Sequence, residues 1–319
     1  MHAVAACAVD SAGRALFAIG DVDVPIFPRS TAKPFIAGAI VASGAAERFA
    51  FDARELAVIC ASHNGEPFHV AAVESILAKA GLDTSALQCG AQVPAYEPAA
   101  ARLAADGIAP GPIHNNCSGK HAGILAMCVH GGFDVATYLA PEHPVQRRIL
   151  EFCARLCDED AGRWPIGVDG CGIPAFATPL RRMALAFARL ATLEGVMPED
   201  ARALRVVREA MAGEPEYVGG TGRFDSALMK ATGGRIVAKG GAEGFHGNAL
   251  LREGAGLALK VVDGSRRATA PAVTALLKEL NALDPGEVEA LAQHAEPEVR
   301  NVAGRVVGRI EPHRMTQRA

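Results

Sequence analysis

Gly234-Arg235-Ile236-Val237-Ala238-Lys239-Gly240-Gly241 sets three consecutive apolar residues between a basic residue and two glycines. Val and Ile fit a pleated, half-buried surface and glycines end such a run, so the spacing predicts a strand over 234–238. That strand would deliver the Lys239 amine at a sheet end, beside a backbone left permissive by Gly240 and Gly241. A second apolar run predicts a partner strand over 256–262, again bounded by glycine. At the far end of the chain, residues 2–8 and 14–19 read as a hairpin around the Asp10-Ser11-Ala12-Gly13 turn.

The sequence between these strands is mostly helical in pattern. Helices are predicted over 30–43, 52–60, 68–79, 97–105, 119–129, 145–158, 178–192 and 198–211, several of them preceded by Ser, Pro, Asp or Glu. Two more follow, over 271–282 from Pro271 and over 286–294 after Asp284-Pro285-Gly286. Strands at both sequence ends with helices between predict a mixed α/β fold whose one sheet is closed by distant parts of the chain. Residues 1–319 then form a single catalytic unit, with a helical subregion over about 30–211 inserted between the N-terminal and C-terminal strands. The segment 305–319, carrying Arg305, Arg309, Arg314 and Arg318, reads as a solvated strand and end segment.

A chain of 319 residues, 50% hydrophobic and 21% charged, has the composition of an ordered globular protein. Its formal net charge of -3 leaves no excess of positive charge to hold a phosphate backbone, which argues against a nucleic-acid partner. Mean hydropathy is +0.16, yet apolar runs such as 124–129 are far too short to span a bilayer. No basic leader followed by an apolar core opens the sequence, so a cytoplasmic location is expected. The eight cysteines are then expected to be reduced and mostly buried.

Reactive residues cluster at short spacings. Ser30 and Lys33 stand three apart in Ser30-Thr31-Ala32-Lys33, which places both on one face of a helix. A lysine in a dry pocket loses its proton near neutral pH and can take that of a serine hydroxyl, making Ser30 a candidate nucleophile; a helix-capping serine followed by a surface lysine gives the same spacing. Ser62 enters the turn-rich stretch Ser62-His63-Asn64-Gly65-Glu66-Pro67, where polar groups can converge, and a second pair, Ser62 with Lys239, becomes possible across the fold.

Cys117 and Lys120 share the three-residue spacing in Asn116-Cys117-Ser118-Gly119-Lys120-His121, and Asp169-Gly170-Cys171-Gly172 supplies a second thiol. Two thiolates with a nitrogen or water could complete a tetrahedral zinc site; buried thiols beside a lysine that serves as a charge fit the same spacing. Gly219-Gly220-Thr221-Gly222-Arg223-Phe224-Asp225 lacks the ending of a phosphate-binding loop and reads as a turn beside the site, with Arg223 a carboxylate clamp. His63 and His121 are candidates for supporting positions. No HExxH occurs, so nothing supports a zincin.

Taken together, these segments resemble the Rhizobium-type, thermolabile class 3 L-asparaginase family, most specifically through Ser62-His63-Asn64-Gly65-Glu66, His114-Asn115-Asn116-Cys117-Ser118-Gly119-Lys120-His121 and Gly167-Val168-Asp169-Gly170-Cys171-Gly172. The resemblance implies a serine beta-lactamase and glutaminase-like fold, an antiparallel sheet packed with helices plus a largely helical region. It further implies a homodimer that hydrolyses L-asparagine to L-aspartate and ammonia. Carried onto this sequence, it pairs Ser30 with Lys33 and Ser62 with Lys239. It gives a zinc ion to Cys117, Lys120 and Cys171, and sets Asp169 beside it. Gly240-Gly241 follows the late lysine where beta-lactamase-like enzymes show Lys-Thr-Gly, which argues against a penicillin-binding function.

On this reading Lys33 deprotonates Ser30, which attacks the side-chain amide, while Ser62 and Lys239 relay protons and backbone N–H groups near Ser30 hold the oxyanion. Ser30, Lys33, Ser62, Lys239 and Asp169 are the expected catalytic set, with His63, Asn64, Arg223 and Lys120 at the substrate. Glutaminase chemistry is the near alternative, since the substrates differ by one methylene. A beta-lactam hydrolase and a catalytically silent amino-acid or metal binding protein are the more distant ones.

Overall fold

The computed structural model describes residues 1–313. Five strands form the main sheet: β1 (Val4–Asp10), β2 (Ala15–Ile19), β3 (Ile236–Gly240), β4 (Phe245–Leu250) and β5 (Ala255–Val261). Their order is β2-β1-β5-β4-β3, antiparallel throughout. The architecture is the mixed α/β one, an antiparallel sheet packed with helices. The N-terminal hairpin enters the sheet beside β5, with Val4 opposite Val261 and Asp10 opposite Ala255.

The late strands correct the expected pairing. Residues 234–238 and 256–262 do not pair with each other, because β4 lies between β3 and β5. His246, Gly247 and Asn248 interrupt the apolar pattern of β4, and every one of its residues is buried. A strand covered on both faces need not alternate, so its periodicity carries no signal. Its Gly247 is required by packing: a Cβ there would lie 1.9 Å from the Phe187 ring. Phe187 belongs to the helix Leu180–Thr192, whose strongly apolar face covers the sheet. Gly256 of β5 allows the same approach, since a Cβ would stand 2.0 Å from the Ala184 carbonyl oxygen and 2.2 Å from the Ala188 nitrogen.

The helical region runs through Lys33–Ala42, Ala53–Ile59, Pro67–Lys79, Glu97–Ala105, Ser118–Gly131, Pro144–Cys157, Leu180–Thr192 and Pro198–Gly213. Proline occupies the first helical turn at Pro34, Pro67, Pro98, Pro144 and Pro198, where its missing N–H costs nothing. The helix expected from residue 30 instead opens as a short 3-10 turn, Arg29–Ala32, before Lys33. The one expected from 178 begins at Leu180, because Thr178–Pro179 pairs as a short strand with Pro25–Ile26. The helix Phe224–Ala231 grows directly out of the glycine-rich loop and was not legible as one.

The last helices run over Thr269–Glu279, Pro285–Ala290 and Ala292–Ala295. Beyond them an exposed two-stranded ribbon joins Glu298–Arg300 to Val306–Arg309, so Arg305 and Arg309 are solvated. Arg314 and Arg318 lie outside the described residues. All eight cysteines are free and buried. Among the described residues no helix is long and apolar enough to cross a membrane.

Candidate active site

Four segments deliver the chemistry to one place. The Asp52 side chain caps the helix Ala53–Ile59 by accepting from the Glu55 N–H, with the Glu55 carboxylate returning the bond to the Asp52 N–H. Ser62 follows just past the end of that helix. Lys33 opens its own helix, Asn116 and Cys117 precede Ser118–Gly131, and β3 carries Lys239.

The Ser62 hydroxyl is shared by two lysines. Lys33 Nζ stands 3.1 Å and Lys239 Nζ 3.0 Å from Ser62 Oγ, and all three side chains are buried. Lys33 also donates to the carbonyl oxygens of Ala61 at 2.5 Å and Asn116 at 3.4 Å. Three acceptors match the three protons of an ammonium. The expected Ser30–Lys33 pair is therefore not formed as such: the amine turns to Ser62 and the two carbonyls. Ser30 instead lines a cavity of about 230 Å³ together with Ser62, His63, Asn116, Arg223 and Asp225.

Burial sets the proton balance. It pushes Lys239 down to about 7, against the opposing pull of Asp225 and with help from the Lys33 charge. Burial lowers Lys33 as well, with Cys117 opposing. Asp225 lies 3.7 Å from Lys239 Nζ. Its carboxylate accepts from the Gly240 N–H at 2.8 Å and meets His246 Nε2 at 3.1 Å. Burial would raise the Asp225 carboxyl, but His246, Lys239 and Arg223 outweigh it and hold it well below the usual range.

His63 is neutral, driven far down by burial with His69 and Lys33 adding repulsion. Its Nδ1 accepts from the Gly65 N–H at 3.1 Å, so Nε2 carries the proton and donates to Ser118 Oγ at 2.9 Å. Asn64 spans the glycine-rich loop: Nδ2 donates to the Thr221 carbonyl at 3.0 Å, and Oδ1 accepts from Arg223 Nη1 at 3.1 Å. Glu66 fixes the same loop by accepting from the Thr221 N–H and hydroxyl, each at 2.8 Å. His121 stands 2.7 Å from the Tyr138 hydroxyl through Nδ1.

Cys117, Lys120 and Cys171 gather beside this centre. Lys120 Nζ donates to Cys171 Sγ at 3.0 Å, and all three side chains are buried. The Cys171 hydrogen bond and the charges of Lys33 and Lys120 pull the Cys117 thiol well down against burial. The same bond, with burial, drives Cys171 up. Burial opposes the Lys120 charge, but Cys117 and Cys171 more than offset it and hold the amine up.

Two sulfurs and a nitrogen lie together, and the nitrogen would have to lose its proton before the three could hold a metal ion. Among the described residues no three His, Cys, Asp or Glu side chains gather as a metal would need, so the lysine is essential to that set. Asp169 accepts from Arg29 Nε at 2.6 Å and, with Lys120, lines a separate small cavity of about 20 Å³. Lys120 and Asp169 thus stand behind the Ser30 turn and do not line the cavity that Ser30 and Ser62 share. Arg29 itself takes a φ of 52°, a strained conformation one residue before Ser30.

Sequence reasoning missed Asp225, His246, Arg266 and Thr269, all of which line the Ser30–Ser62 cavity. Asp225 lay two residues from the arginine singled out, and His246 sat in the strand whose pattern gave no signal.

A serine shared by two buried lysines, at the wall of a polar cavity on a mixed α/β scaffold, defines the class: a candidate hydrolase centre. The chain belongs to the L-asparaginase II family, whose model matches residues 1–312, and is by that membership an enzyme of the amidohydrolase class. Among solved structures, one described as Mglu is 14% identical, with 88% of this chain and 67% of that one covered and a TM-score of 0.40. Mglu in its tris and glutamate form is 15% identical, with 88% and 59% covered and a TM-score of 0.41. The chain thus spans 59% to 67% of the length of these two. No curated protein matches it.

Proposed function

We propose that this chain is an L-asparaginase, hydrolysing the side-chain amide of L-asparagine to L-aspartate and ammonia through an acyl-serine. One observation carries the reading: Ser62 Oγ lies 3.1 Å from Lys33 Nζ and 3.0 Å from Lys239 Nζ on the cavity that also exposes Ser30. Two amines so close in a dry site do not both stay charged near neutral pH, so one is available as a base.

Ser30 is the acylated residue. The amides next to Ser62 are already spent, the Ser62 N–H on the Val218 carbonyl at 3.1 Å and the His63 N–H on the Asn116 carbonyl at 3.3 Å. The Thr31 N–H beside Ser30 is likewise bound, to the Pro28 carbonyl at 3.0 Å, so amide availability does not choose between the serines, and Ser30 is assigned on the family resemblance and its place on the cavity wall. The Ser30 hydroxyl gives its proton to the neutral amine by way of Ser62 as its oxygen bonds to the amide carbon. The same proton then passes to the leaving nitrogen as the C–N bond breaks and ammonia departs. Water repeats the path in reverse to free aspartate. Arg223, held by Asn64, faces the substrate carboxylate.

Zinc, held by Cys117, Lys120 and Cys171, would tie these three side chains together behind the Ser30 turn, its charge balanced by the two thiolates. On the family resemblance, the working enzyme is a homodimer.

The test is ammonia release from purified protein given L-asparagine and L-glutamine separately. Turnover of asparagine supports the assignment, a glutamine preference makes the protein a glutaminase, and silence with both removes the hydrolase reading. Mass mapping of a trapped acyl adduct places it on Ser30; an adduct on Ser62 reverses the roles of the two serines.

A further inference from the structure

The cavity shared by Ser30 and Ser62 holds a second cationic wall. Arg223 reaches it from the glycine-rich loop, and Arg266 from the short turn Arg266–Ala268 that follows the sheet. Among the described residues Arg223 makes one side-chain hydrogen bond, to the neutral Asn64, and neither guanidinium has a carboxylate within ion-pair distance. Arg223 is half-buried and Arg266 exposed, so both guanidiniums are free to turn to a ligand in the cavity. Burial lowers Arg223, the Asp225 charge opposes, and Arg266 lowers it again, so the two guanidiniums feel each other.

Uncharged groups on the same wall are also short of partners. Thr269 Oγ1 is buried without a hydrogen-bond partner, and so is Nδ1 of His246, a side chain 1% exposed; both residues line the cavity. The one nearby anion, Asp225, has an oxygen on the Gly240 N–H and the other on His246. Two unpaired guanidiniums and an orphaned hydroxyl form a donor-rich surface, and the complementary chemistry is a carboxylate.

We propose that Arg266 and Thr269, together with Arg223, form the subsite that reads the substrate's α-carboxylate. This rests on the amidohydrolase reading, and it restricts the substrates to amides that carry a free carboxylate. Arg266 is exposed, so the variant Arg266→Ala leaves the core untouched.

The experiment compares initial rates of ammonia release from L-asparagine and from its α-methyl ester, in which the side-chain amide is intact and the carboxylate charge is gone. Arg266→Ala should raise KM for asparagine about tenfold or more, the worth of one charge-assisted hydrogen bond, with kcat within about twofold. The ester should be a poor substrate for the unaltered enzyme and show no further loss in the variant. Arg266→Lys should recover part of the asparagine KM. Equal effects on both substrates, or none on either, overturn the proposal.

Calorimetry with L-aspartate separates this from failure of the enzymatic reading. Weaker aspartate binding in Arg266→Ala and in Thr269→Val upholds the subsite even in a protein that turns over no asparagine. Unchanged affinity in both variants rejects it.

Discussion

Ser62 and Lys239 stand 177 residues apart in the chain and 3.0 Å apart in space. β3 brings the lysine to its end and the Ala53–Ile59 helix releases the serine beside it, while Lys33 closes the bridge from the other side. A hydroxyl held between two amines is suited to passing protons. Ser62→Ala should therefore lower kcat about 10²- to 10⁴-fold with little change in KM, the range for losing one proton-transfer group. Steady-state kinetics on asparagine read this, and an unchanged kcat would remove Ser62 from the proton path.

The base must be neutral to work, and Lys239 sits at about 7. Below that pH each unit of acidification removes about nine tenths of the working form, so kcat/KM should climb with pH and level off above about 7. Asp225 holds the proton on Lys239 by its negative charge. Asp225→Asn removes that attraction, and the rising limb should move to lower pH by about one to two units. A limb that moves upward, or stays fixed, would show that another group governs it.

How much of this was legible follows from how each part is encoded. The helices Pro67–Lys79, Pro144–Cys157 and Pro198–Gly213 announced themselves through proline in the first turn, a local signal. The N-terminal hairpin and β3 were legible for the same reason, a run of strand formers beside a turn. β4 was not, because burial on both faces removes alternation and its Gly247 answers to Phe187, about sixty residues earlier. At the site, spacing placed Ser30 and Lys33 on one helical face, yet Lys33 chose Ser62 and two carbonyls. Residue types were readable; partners set by tertiary contact were not.

Gly256 tests the packing of β5 against the Leu180–Thr192 helix. Its hypothetical Cβ meets backbone atoms of Ala184 and Ala188, which belong to a helix and cannot swing aside as a side chain could. Gly256→Ala must lift the Leu180–Thr192 helix off the sheet, an overpacking cost of about 3 kcal/mol or more. Denaturant unfolding reads it, and a loss below about 1 kcal/mol would mean that the helix and sheet separate without strain.

The thiol cluster makes a prediction that depends on proton count. Without metal, the Cys117 thiol is held low, the Cys171 thiol is driven high and the Lys120 amine is held high. A zinc ion takes sulfur as thiolate and an amine only with its lone pair free. Binding to all three must therefore release two protons, one from Cys171 and one from Lys120, and affinity should rise steeply with pH. Calorimetric titration of metal-free protein in buffers of different ionisation enthalpy measures the number. Release of a single proton would leave Lys120 charged and outside the donor set, and Lys120→Met would then bind zinc as tightly as the unaltered chain. With two protons released, Lys120→Met should lose most of the affinity, and stripping the metal should leave kcat largely unchanged, since the cluster does not line the cavity that Ser30 and Ser62 share.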